Sequence, residues 1–187
     1  MNYSIELEKK CRQELERICG EKYLNMDIPV FTLSAEEQED GVLGSHNAED
    51  KSIIVYCQSH NSEKELLKTV RHEARHVWQY TARKDVYDWW MHEHHDLYLL
   101  IFSNKIVAKK WGRICTVEAD AEAYSEDYKS QALPNEDKEL EKLTPNPDEV
   151  IPEILAYIKN EIGKQNLSYS GRVAYSLLHI KYKKYVK

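Results

Sequence analysis

Apolar residues recur at Ile5, Leu7, Cys11, Leu15, Ile18 and Cys19, the three-to-four spacing of one helix face, and Gly20 follows as a natural stop. A short β-rich run, Ile28 to Leu33, comes next. Val42 to Gly44 then leads into "HNAEDK" (His46 to Lys51) as a turn, and "SIIVYC" (Ser52 to Cys57) returns as the stronger strand of a hairpin. Ser62 and Glu65 form an S-x-x-E capping box. Leu66, Leu67, Val70, Ala74 and Val77 continue from it at helical spacing, predicting a helix of about four turns. Asp85 is the expected cap of a further helical stretch to Trp111, with a break near Ser103 and Asn104. Gly112 interrupts, and a helix starting at Cys115 is expected to end at Pro134. The acidic, proline-bearing stretch from Pro134 to Glu149 reads as a loop or linker. Helices near Val150–Ile162 and Val173–Val186 close the chain. The order of helix, small sheet and then mostly helix is an α+β pattern.

The chain has 187 residues, 42% of them hydrophobic, enough for one ordinary domain with a real core. With 26 basic and 32 acidic residues it carries a formal charge of −6, so nucleic acid is not an expected partner. The longest apolar run, "LYLLIF" (Leu97 to Phe102), is far short of the ~18–20 residues that span a bilayer, so no membrane partner is expected. "MNYSIELEKKCRQ" has no apolar core of a Sec-type signal, and the expected compartment is the cytoplasm. Cys11, Cys19, Cys57 and Cys115 show no CxxC spacing and read as small buried hydrophobes under reducing conditions.

The chemistry concentrates in "LLKTVRHEARHVWQY", Leu66 to Tyr80. Four residues of α-helix advance about 400°, so His72 and His76 project from nearly one face, one turn apart. Two imidazoles at that separation can hold one zinc ion. Glu73 lies about 100° round from His72, off the ligand axis, where it can act as a base toward a metal-activated water. The plain alternative is a solvent-facing helix, but Val70, Ala74 and Val77 require part of this segment to be buried.

A catalytic zinc needs a third protein ligand. In "VEADAEAYS", Glu118 and Glu122 lie four apart on one helical face. Glu118 is the first choice and Glu122 the rival. Asp120 is placed to orient a ligating histidine through its other ring N–H. Arg75 and Gln79, near the His72 face, are available to pair with this acidic helix or to reach water.

The pair of motifs, His72-Glu73-x-x-His76 followed by Glu118-x-x-Ala121-x-x-Tyr124-Ser125, resembles the gluzincin metallopeptidases, and most of all their compact ImmA/IrrE-like branch. The resemblance spans roughly Ile28 to Gln131. It implies a minimal zincin fold, with a small twisted antiparallel or mixed sheet, an active-site helix and a Glu-bearing helix. It also implies Zn2+ held by His72, His76 and Glu118, with Glu73 as general base. Ala121 would then allow close helix packing and Tyr124 would fill the core. The implied activity is hydrolysis of a protein or peptide, within this branch a repressor-type protein. One zincin domain over residues 1–187 is expected, with a helical C-terminal extension from about 149. The alternatives are a zincin fold that binds metal or a partner without turnover, and a metal-free helical interaction protein.

Other clusters stay open at this level. "HEHH" supplies His92, His94 and His95, which can be solvated surface, cleft lining or a separate metal site. Trp89 and Trp90 are expected in the core rather than at an exposed rim. Tyr169, in a loop-like setting, and His179 are the nearest guesses for an oxyanion-stabilising group. The basic "HIKYKKYVK" end reads first as a solvated helix terminus.

Overall fold

The computed structural model describes residues 1–22, 24–36, 42–126 and 146–183. The chain forms two compact units. The first comprises Met1–Lys84 and Asp120–Pro134, the second Asp85–Ala119 and Asn135–Lys187. The fold class is α+β, as the pattern predicted.

In the first unit, helix α1 (Ile5–Cys19) starts where the Ser4 side chain accepts from the Leu7 N–H. It ends at Gly20, which keeps helical rather than left-handed backbone. Strands β1 (Val30–Ser34), β2 (Gly44–Asn47) and β3 (Ser52–Tyr56) form one mixed sheet in the order β1-β3-β2. β1 runs parallel to β3, with Phe31 beside Ile53, and β2 runs antiparallel to β3, with His46 beside Ile53. The hairpin is therefore longer than expected. His46 and Asn47 belong to the strand rather than the turn, because they still find partners on β3.

Helix α2 (Glu63–Ala82) begins with the Ser62 hydroxyl accepting from the Glu65 N–H. The return half of the expected capping box is displaced by one residue: the Glu65 carboxylate accepts from Asn61 instead. Leu66, Val70, Ala74 and Val77 from α2 join Leu7, Cys11, Leu15 and Ile18 from α1 and Phe31, Leu33, Ile53 and Val55 from the sheet in one core. β1 and β3 bury alternate residues, so one face of the sheet carries this core. All four cysteines are buried and unpaired, and burial pushes the Cys11 thiol up to about 12 and Cys19 up to about 11.

The second unit is helical among its described residues. Helix α3 (Lys84–Asp88) runs into a π-helical turn at Trp89–Glu93, then α4 (His95–Ile101) and α5 (Lys105–Trp111). Asp85 sits inside α3 rather than capping it. The expected break falls at Phe102–Asn104, where the Asn104 side chain caps α5 by accepting from the Ile106 N–H. Helix α6 spans Thr116–Glu126. The rest of the stretch expected to be helical up to Pro134, and the linker as far as residue 145, lie outside the described residues.

Helices α7 (Pro147–Tyr157) and α8 (Tyr169–Lys181) start earlier than their apolar periodicity suggested, since Asn146 and Ser168 cap them. Tyr169 is therefore a first-turn helix residue, not a loop residue. α8 packs on α4. Gly171 makes the close approach possible: a Cβ there would fall 2.1 Å from the Ser103 Cβ. Among the described residues no helix is long and apolar enough to cross a membrane.

Candidate metal centre

α2 turns His72 and His76 to the same side, as the four-residue spacing requires. Their Nε2 atoms lie 3.0 Å apart and their rings meet edge to face. The donor atoms of His72, His76 and Glu118 all lie within 4.8 Å of one another. Among the described residues this is the group able to hold a metal ion. Zinc–nitrogen bonds of about 2.0–2.1 Å in tetrahedral geometry set neighbouring ligand atoms roughly 3.3 Å apart, so the histidine pair fits such an ion. Two imidazoles and a carboxylate, without a thiolate, are also the donor chemistry of a borderline divalent metal.

The neighbours of His76 bear on the tautomer of its neutral ring. Arg75 is almost wholly buried and grips Asp120 with two bonds, Nε to Oδ2 at 2.7 Å and Nη2 to Oδ1 at 3.0 Å. Its guanidinium also stacks 3.7 Å over the Trp78 ring. Asp120 Oδ2 accepts a further bond from Gln79 Nε2 at 2.7 Å. That bond orients the Gln79 amide, so Gln79 Oε1 faces His76 Nδ1 at 2.8 Å and accepts its proton. His76 Nε2 is then left with its lone pair toward His72, the tautomer a metal ligand needs. Asp120 thus acts on His76 as the sequence suggested, but through Gln79 rather than directly. Replacing Gln79 by Leu is expected to weaken metal binding about 10–100-fold with the fold retained, read by competition against a chromogenic chelator.

Glu122 is not part of the three-residue group. It is half-exposed and bonds Lys68 Nζ at 2.6 Å, while its other oxygen lies 3.8 Å from His72 Nδ1, on the outer side of that ring. Lys68 also holds Glu126. Glu118 receives the Tyr98 hydroxyl at 3.2 Å. Ala121 and Tyr124 are fully buried, and burial pushes the Tyr124 phenol up to about 12.

Glu73 is buried, and its side chain passes against Gly44 at the start of β2. A Cβ on Gly44 would fall 3.1 Å from Glu73 Cγ and 2.8 Å from Thr69 Cγ2. Gly44→Val is therefore expected to cost about 1–3 kcal/mol in denaturant unfolding, since both side chains would have to move.

Two neighbours of the site escaped the sequence reading. His46, on β2, faces α2: its ring centroid lies 6.0 Å from that of His76 and 6.4 Å from that of Tyr80. Burial, with His76 adding to it, pushes the His46 imidazole down to about 4, so it is neutral at pH 7. The signal that could have found it is alternation along Gly44–Asn47, which places His46 and Gly44 on one face of the strand. Tyr98 is the other, and its hydroxyl contact with Glu118 has no counterpart in local sequence.

The remaining candidates are not members of the three-residue group. His92 faces Asp88 at 3.5 Å, His94 packs on Trp89, and His95 stacks on Tyr98. Trp90 is fully buried and donates from Nε1 to Thr116 Oγ1 at 3.0 Å, while Trp89 is half-buried. His179 stacks on Tyr175 within α8. Residues 184–187 of the basic end lie outside the described residues. No protein-family model, curated protein or solved structure matches this chain.

Proposed function

We propose that the protein is a zinc-dependent metallopeptidase of the minimal zincin type that hydrolyses peptide bonds in a protein or peptide substrate. The observation that carries this reading is the convergence of His72, His76 and Glu118 within 4.8 Å, with Glu73 buried on the same helix one residue after His72. A zinc ion held there supplies a Lewis acid that polarises the scissile carbonyl and acidifies water.

The chain's own groups do the rest. Glu73 takes the proton of the attacking water as the new C–O bond forms. It returns that proton to the leaving amine as the C–N bond breaks. Glu73 is buried, with its Cγ close to Gly44, which limits the water around its side chain. Gln79, held by Asp120, keeps the His76 lone pair turned toward the metal position.

The test is hydrolysis of a quenched-fluorescent peptide library by the zinc-loaded chain. Cleavage that stops on chelation and returns with zinc supports the reading. Stoichiometric zinc without cleavage of any peptide or protein substrate would favour the metal-binding module without turnover.

A further inference from the structure

Helix α8 is apolar on two opposite sides. Gly171, Ala174, Tyr175 and Leu178 are buried within the second unit. On the other side Tyr169 and Ile180 are 77% and 74% exposed, and Val173 and Leu177 are about half exposed. At 100° per residue these four fall within a stripe roughly 80° wide that runs the length of the helix. Arg172 lies on one flank of the stripe and Lys181 on the other. From Ser168 to Lys187 the sequence has no Asp or Glu, although the whole chain carries −6. Lys183, Lys184 and Lys187 follow the helix in sequence.

We infer that this face of α8 rests on an anionic membrane surface. A helix lying in the headgroup plane needs this arrangement: a narrow apolar stripe to enter the acyl boundary, with cationic side chains on both flanks reaching up to lipid phosphates. Each basic residue near an anionic leaflet adds to the attraction, and a carboxylate in the helix would offset one of them. A second copy of the chain is a poorer occupant. Two such helices would bring basic flanks together with no acidic residue of the helix to pair them. A protein interface also buries about 800 Å² per partner in a shape-matched surface, whereas this stripe is a narrow ridge. The sequence expectation of no membrane partner rested on the lack of a spanning segment, and a helix that lies on the surface needs none. The inference is independent of the metallopeptidase reading, since α8 carries none of its residues.

The experiment is co-sedimentation of the full chain with vesicles of phosphatidylcholine alone and with roughly 30% phosphatidylglycerol added. Binding to the anionic vesicles is expected, at least about tenfold above the neutral ones, and weakening as salt rises. The double variant Leu177→Glu/Ile180→Glu is expected to lose it while melting like the wild type, because both residues point to solvent. Should that variant fail to fold, Lys181→Glu, which alters a flank only, is expected to weaken binding severalfold. Absence of wild-type binding to anionic vesicles would overturn the inference, as would binding that these substitutions leave unchanged. A concentration-dependent dimer in ultracentrifugation, abolished by Leu177→Glu/Ile180→Glu, would also overturn it and assign the stripe to a second copy.

Discussion

Glu73→Gln is expected to lower peptide hydrolysis by roughly 10²–10⁴-fold while leaving about one metal ion bound per chain. Glutamine keeps the volume that fits beneath Gly44, so the packing of β2 on α2 is retained. What is lost is the one function that position serves in the proposed reaction, taking a proton from water and delivering it to the leaving amine. His72, His76 and Glu118 are untouched, and metal content and activity should therefore separate cleanly. The check is a parallel measurement of bound metal and of cleavage rate on the same preparation. Equal loss of metal and activity would instead make Glu73 part of the ligand set.

The second large effect is expected at Asp120. Removing its carboxylate by Asp120→Ala takes from the almost fully buried Arg75 guanidinium the two bonds and the opposite charge that Asp120 supplies. Breaking one partner of a buried pair in this way costs about 3–5 kcal/mol. For a chain of this length that corresponds to a fall in melting temperature of roughly 6–20 °C. The same substitution releases the Gln79 amide, so metal affinity should fall as well, by about the factor expected for Gln79→Leu. Thermal melts with and without added zinc distinguish the two contributions. Asp120→Asn, which can still accept from Arg75 and Gln79 through its one oxygen, should lose less on both counts.

The elements that position the site were legible because their signals are local. The Ser62 cap, the spacing Leu66–Val70–Ala74–Val77 and the four-residue histidine repeat all lie within one helix and obey one period. Glu118 was reachable from a second short motif. What eluded the linear reading depends on contacts distant in sequence. Gln79 is an unremarkable polar residue until Asp120, 41 positions away, orients its amide. His46 read as part of a turn because the ladder that makes it a strand residue lies on β3. Glu122 was separable from Glu118 only once Lys68 was seen to hold it, 54 positions off. The starts of α7 and α8 were misplaced for a different reason. Their apolar periodicity begins after their caps, so it does not register Asn146 and Ser168. The exposed face of α8 was hidden because spacing alone does not say which apolar side of a helix the fold buries, and here it buries the side with Ala174, Tyr175 and Leu178.

The central claim is that His72, His76 and Glu118 form one metal site, and elemental mass spectrometry of the purified protein tests it most directly. The account predicts about one zinc per chain in the wild type, and near-complete loss in both His76→Ala and Glu118→Gln with the fold preserved. A folded, metal-replete wild type without zinc, or zinc that survives both substitutions, would contradict it.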